Sequence, residues 1–342
     1  MADYQLTQSK MTHLDQHHRL LKLFSFPLLD APWKISIVST MLSMVITVLM
    51  LLILSGEVNT IPLVITVVCA STISYGVSKS IFPYYLLIER QHQQLTVLNN
   101  RMGGELALAN DIQRSLLPVP PRWVGLDIAT FSQPAHEVGG DFYAFHTTED
   151  GSCILSIGDI SGKGVSAALL MATSLSSFNL VQSQQHLKPD KFLETLDKVL
   201  TPYTKPYQKS CALSYVQLSG RTLYSANAGG IPPFVRRATG DVEWPEIGGI
   251  ALGQGLGPQS YEIASLPLSA GDLIIMTSDG LIETKSKAGE MFGFERLEQA
   301  IRRGPIVSAQ AMLDYLLAKV SMFIEEHEPH DDITIVILQV KR

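Results

Sequence analysis

Hydrophobic positions follow three different rhythms along this chain. From residue 35 to 54 they are almost unbroken, ISIVSTMLSMVITVLMLLIL, with no charged side chain. About 20 helical residues at ~1.5 Å each reach roughly 30 Å, the thickness of a bilayer's hydrocarbon core. After SGEVNT a second uncharged run covers residues 61–78. It continues weakly through IFPYYLLI, where Tyr84 and Tyr85 suit a membrane–water interface. A soluble core rarely holds two such runs, so the pattern predicts a two-span membrane hairpin over residues 35–85. Lys10, Arg19, Lys22 and Lys34 precede it and Lys79, Arg90 and Arg101 follow, while SGEVNT carries no Lys or Arg. The positive-inside bias then makes this a multi-pass protein of the cytoplasmic (inner) membrane. Residues 1–34 form a cytoplasmic segment, and both termini and all that follows the hairpin face the cytoplasm.

The second rhythm is helical. Over residues 86–117 Ile88, Leu95 and Met102 recur at intervals of seven, with Leu98 and Ile112 on a neighbouring seam. This predicts a helical linker that either pairs two copies as a coiled-coil homodimer or packs singly on the next domain; the pattern leaves both open. Gly103 and Gly104 are expected to interrupt it, and PVPP at 118–121 to end it.

From residue 118 to 342 the rhythm shortens. LDIATFS, DFYAFHT and CILSIGD read as strands, followed by two helices, VSAALLMATSLSSFNLVQSQ and PDKFLETLDKVLTPY. CALSYVQLS, RTLYSANA, PPFVRRA and DLIIMTSDG resume the strands. Helices near 294–303 and 308–325 lead to a last strand, DITIVILQV. Strands, a helix pair, strands, a helix pair and a closing strand predict an α/β sandwich with antiparallel sheets.

Charge and cysteines narrow the chemistry. A net charge of −6 leaves no basic footprint for nucleic acid. Cys69, Cys153 and Cys211 lie far apart without CxxC spacing, which fits a reducing compartment and neither a disulfide framework nor a zinc site. His136, His146, His327 and His330 have no HExxH or triad spacing, and Ser161 and Ser278 lack a nucleophile elbow.

What stands out is carboxylate. Asp141 in GGDFY, Asp159 in GDISGKG, Asp279 in TSDGLIE and Asp331 in PHDDIT each fall at a strand end or tight turn. A lone Asp-Gly is usually only a turn. Four acids delivered to such positions repel one another unless a cation neutralises them or they share a proton. Oxygen-only donors favour hard ions such as Mg²⁺ or Mn²⁺, and the flanking glycines let backbone approach.

NDIQRSLLP, EVGGDFYAF, IGDISGKGVSAALLMA, NAGGIPPF, TSDGLIETKSKAGEMFG and HDDITIVIL, in this order over about residues 108–341, resemble the bacterial PP2C-class phosphatases of the branch that includes SpoIIE and RsbU. The resemblance implies a β-sandwich flanked by helix pairs, holding two Mn²⁺ or Mg²⁺ ions at one edge. Asp159 would bridge both ions and the Ile160 carbonyl would join one of them. Asp141 would serve that same ion, and Asp279 and Asp331 would complete the other. Asp332, beside Asp331, is a supporting acid or the ligand in its place; Asp331 is preferred. The implied reaction is hydrolysis of phosphoserine or phosphothreonine by a water activated by the ions, without a phosphoenzyme. The implied substrate is a phosphorylated regulatory protein such as a STAS-type anti-sigma-factor antagonist.

Two positions depart from the family pattern. Ala144 stands where relatives often carry an acid, and Gly230 where NAGH is common. The rival expectation is a non-enzymatic membrane scaffold of the same fold that recruits a signalling partner.

Overall fold

The computed structural model describes residues 32–55, 60–184, 187–257, 259–324 and 330–341. Lys10, Arg19, Lys22, His327 and most of the SGEVNT connection lie outside them. The chain divides into two compact units between Met102 and Gly103.

The first unit holds helix α1 (Pro32–Ser55) and most of helix α2 (Thr60–Leu116). Their apolar side chains point outward: Ile37, Met41, Leu49 and Ile53 on α1 and Ile61, Val64, Val68 and Ile73 on α2 are all exposed. Thr40 and Ser71 share a 3.1 Å hydrogen bond between the two helices. By length and composition alone, Val64–Leu116 is long and apolar enough to cross a membrane. Val165–Ser183 also is, but it lies in the second unit and is partly buried there; Thr40–Ile53 is a shorter apolar stretch. Gly103 and Gly104 do not interrupt α2, which runs unbroken through them to Leu116. A helical glycine costs about 1 kcal/mol relative to alanine, too little to stop a helix of 57 residues.

The second unit is a four-layer α/β/β/α sandwich. In chain order it contains strands β1 (Leu126–Gln133), β2 (Phe142–Thr147) and β3 (Cys153–Ile160), then helices α3 (Val165–Gln184) and α4 (Pro189–Thr204). Strands β4 (Cys211–Ser219), β5 (Thr222–Ala228), β6 (Phe234–Arg236), β7 (Val242–Glu243), β8 (Ile263–Pro267) and β9 (Leu273–Thr277) follow. The short helix α5 (Asp279–Glu283), helices α6 (Gly293–Arg303) and α7 (Ala309–Ile324) and strand β10 (Ile333–Val340) complete it. One sheet has the order β1-β10-β9-β6-β7 and the other β2-β3-β4-β5-β8. Every pairing in both is antiparallel.

The apolar runs are continuous because the central strands are covered on both faces. Along β10, Ile333, Ile335 and Ile337 turn toward α6 and α7, while Val336, Leu338 and Val340 turn toward the other sheet. β9 splits likewise, Leu273 and Ile275 against Ile274 and Met276. On β4, Leu213 and Tyr215 face the α3–α4 layer and Val216 and Leu218 face the sandwich centre. Side chains alternate at a period of two, so burying both faces demands an apolar residue at nearly every position.

Leu155 lies fully buried between the two sheets. Leu155→Ala is therefore expected to cost about 2–5 kcal/mol of stability. Leu169→Ala, at an exposed position of α3, is expected to change it by about 0.5 kcal/mol or less. Thermal unfolding of the two variants side by side checks both.

Candidate active site

Strand register brings four separate segments to one rim of the sandwich. Phe142 opens β2 opposite Gly158 of β3, so Asp141 and Asp159 stand at the same end of neighbouring strands. In the other sheet Ile335 of β10 pairs with Thr277 of β9, so Asp331 and Asp332 lie beside Ser278 and Asp279. Asp279 does not extend the strand: β9 stops at Thr277 and Asp279 opens α5.

Backbone hydrogen bonds join these ends. The Ser278 amide donates to the Thr334 carbonyl (3.0 Å), and the Thr334 amide donates back to Ser278 Oγ (3.0 Å). Asp332 links the two sheets, its Oδ2 accepting from the Gly140 amide (2.6 Å) and its Oδ1 from the Ala135 amide (2.8 Å). Gln113, near the end of α2, grips the same turn: its amide nitrogen donates to the Gly139 carbonyl (2.6 Å) and its oxygen accepts from the Gly139 amide (3.0 Å). Asn110 donates to the Glu137 carbonyl. Neither Gln113 nor Asn110 was singled out in the sequence, because side chain-to-backbone bonds between distant segments leave no periodic trace.

Close approach explains two of the glycines. A Cβ on Gly140 would lie 2.7 Å from the Ile160 carbonyl oxygen and 3.2 Å from Asp159 Oδ1. A Cβ on Gly280 would overlap the Asp332 carbonyl oxygen. The Ile160 amide donates to the Gly140 carbonyl (3.3 Å), so the GGD turn rests directly on the end of β3.

The electrostatics are those of crowded acids. Burial, then the Asp159 charge, raises Asp141 well above the usual carboxylate range; nearby Ser278 and Thr334 hydroxyls offset this only in part. Asp141 Oδ2 is buried without a hydrogen-bond partner. Burial, followed by Asp279, Asp331 and Asp332, pushes Asp159 up to about 7. Asp279 is raised by burial, Glu283 and Asp331. The two adjacent acids behave differently. Both Asp332 carboxylate oxygens are occupied by backbone amides, whereas Asp331 is partly exposed, with Oδ2 3.0 Å from Lys163 Nζ.

Two nucleophile-type side chains stand close to Asp159 in the chain or in space. Ser161 Oγ accepts from the Ser210 amide (2.9 Å), and burial beside Asp159 pushes the Cys211 thiol upward, away from the reactive thiolate. Ala144 packs in the apolar cluster beneath α3 and α4. Gly230 lines a cavity of about 100 Å³ with Asp159, Ser214 and Asp279.

Among the described residues, no three His, Cys, Asp or Glu side chains already close on one point as they do around a bound ion. An ion would have to draw the carboxylates together. The donor set nevertheless fits hard divalent cations, being all oxygen, crowded, partly desolvated and carrying one unpartnered oxygen.

Comparison with known proteins gives a consistent result. Residues 149–341 match the family model of Stage II sporulation protein E (SpoIIE). The chain is 26% identical over 265 residues to phosphoserine phosphatase RsbU of Bacillus subtilis, covering 75% of this chain and 76% of that protein. Its fold is similar to that of the SiaA-PP2C domain of Pseudomonas aeruginosa, with a TM-score of 0.64 and 22% identity over 71% of this chain and 98% of that one. It is also similar to the PP2C phosphatase domain of SpoIIE from Bacillus subtilis, with a TM-score of 0.53 and 21% identity over 63% of each chain.

Removing the Asp332 carboxylate would strip two backbone amides of their acceptor. Asp332→Ala is expected to lower stability by about 1–3 kcal/mol, read as a drop in Tm in metal-free buffer.

Proposed function

This chain belongs to the SpoIIE family of PP2C-type, metal-dependent serine/threonine phosphatases, and on that footing we propose that it is a membrane-anchored phosphatase acting on a phosphorylated regulatory protein. The observation that carries the site reading is the crowding of carboxylates from four chain segments at one sandwich rim, with burial and neighbouring acids raising the proton affinities of Asp141, Asp159 and Asp279.

Asp159 is the natural bridging group, since it feels Asp141 from its own sheet and Asp279 and Asp331 from the other. Asp141 and the Ile160 carbonyl would hold one ion, with Gly140 leaving the space beside that carbonyl. Asp279 and Asp331 would hold the other. Asp331 is favoured over Asp332 because Asp332 already binds the Gly140 and Ala135 amides and acts as the brace of the GGD turn. Two Mn²⁺ or Mg²⁺ ions held there would supply Lewis acidity, acidifying a water and neutralising charge on phosphoryl oxygens. Direct hydrolysis, without a phosphoenzyme, is the reaction proposed; burial beside Asp159 keeps the Cys211 thiol protonated and so out of the reaction.

Similarity to a phosphoserine phosphatase supports phosphoserine as the substrate group; a STAS-type anti-sigma-factor antagonist is the substrate class proposed. The outward apolar surfaces of α1 and the first half of α2 support two membrane spans in contact with lipid. Exposure of Ile88, Leu95, Leu98, Met102 and Ile112 on one continuous helix supports a homodimer contact through residues 86–117.

The test is phosphate release from a phosphoserine peptide by the detergent-solubilised full chain. Turnover is expected only with added Mn²⁺ or Mg²⁺, and Asp159→Asn is expected to reduce it by at least about 10³-fold, roughly 4 kcal/mol of transition-state stabilisation. Metal-independent turnover, or an Asp159→Asn variant as active as wild type, would overturn the two-ion reading. A chain that neither binds metal nor releases phosphate would leave the scaffold expectation in its place.

A further inference from the structure

Crowded carboxylates need positive charge, and the chain supplies some of its own. Lys163 sits in the turn between β3 and α3, four residues after Asp159. Its ammonium lies 3.0 Å from Asp331 Oδ2 and donates to the His330 carbonyl, so it ties the loop after β3 to the loop before β10. Among the described residues this is the only ion pair made by Asp141, Asp159, Asp279, Asp331 or Asp332. The pair is open to solvent, with 43% of the lysine side chain and 37% of the aspartate exposed, so it can exchange.

A second ammonium stands on the same turn. Lys209 Nζ lies against Gly162, where any side chain would collide with it. Its loop is bonded to the turn through the Ser161 amide on the Ser210 carbonyl (2.9 Å) and the Ser210 amide on Ser161 Oγ (2.9 Å). Lys209 has no ion-pair partner among the described residues.

An ammonium and a divalent ion compete for one carboxylate oxygen, because like charges at that distance repel. An ion that takes Asp331 Oδ2 therefore competes with Lys163 for that oxygen. The lysine's four-carbon stem then leaves its charge at the rim, close to the carboxylates.

We propose that Lys163 is an internal competitor for the cation at Asp331, and that on displacement it becomes a counter-charge for the phosphoryl group of the substrate. The inference rests on the two-ion reading and assigns a residue that weakens metal binding while strengthening anion binding. Ordinary active-site lysines of purely structural value would do neither.

Calorimetric titration of the solubilised full chain tests both halves without relying on turnover. Mn²⁺ is titrated first, and inorganic phosphate is then titrated into the Mn²⁺-loaded protein. Lys163→Gln is expected to bind Mn²⁺ about two- to fivefold more tightly, the range that the loss of an exposed ion pair implies. It is expected to bind phosphate about tenfold more weakly, the worth of a hydrogen bond to a charged group. Lys163→Arg should stay near wild type in both. Lys209→Gln removes the same charge from the same turn but touches no carboxylate, and should leave Mn²⁺ affinity near wild type.

Unchanged or weaker Mn²⁺ binding by Lys163→Gln overturns the competitor role, and unchanged phosphate binding overturns the counter-charge role. Equal tightening of Mn²⁺ by Lys163→Gln and Lys209→Gln reduces the effect to net charge and also overturns the competitor role. A wild-type chain that binds no Mn²⁺ overturns the two-ion reading itself, a result distinct from all of these.

Discussion

Four acids that repel one another are held within mutual reach at the end of a β-sandwich, and the surrounding structure is arranged to keep them there. Asp141, Asp159 and Asp279 each titrate above the ordinary carboxylate range because each is partly stripped of water beside another acid. Left to itself such a cluster would spread apart. It is restrained by elements that would be costly to move: β3 and β10 are interior strands rich in buried apolar side chains, and Asp332 is bonded to two backbone amides of the opposing segment.

The restraint comes from both sheets and from outside them. Ser278 and Thr334 lock β9 to β10 beside Asp279 and Asp331. Gln113 holds the GGD turn from the end of α2, the same helix whose other half carries the outward apolar surface. Lys163 bridges the loops after β3 and before β10 with a charge instead of a backbone bond. Of these links the lysine is the one most exposed to water, and therefore the cheapest to exchange for another cation.

Much of this architecture was legible in the chain because burial on both faces writes long apolar runs. CILSIGD and DITIVILQV read as strands for that reason, and VSAALLMATSLSSFNLVQSQ coincides with α3. The elements that escaped were short and at edges. β7 has two residues, β8 alternates between exposed and half-buried positions, and the five-residue α5 hides behind the apolar run of β9. The glycine pair in α2 misled because glycine's propensity cost is small beside the length of helix around it. At the rim, Asp141, Asp159 and Asp279 announced themselves by their flanking glycines, and Asp331 by its place before the last strand. The bonds that Asp332 makes did not, since they join it to the Gly140 amide 192 positions away in the chain.

The claim on which the functional account turns is that these carboxylates exist to hold a pair of divalent ions about Asp159. Anomalous scattering from a crystal of the full chain grown with Mn²⁺ tests it most directly. Two peaks about 3.5–4 Å apart, both in contact with the Asp159 carboxylate, are the expected result. No peak at the rim, or manganese bound only at sites away from Asp159, would contradict it.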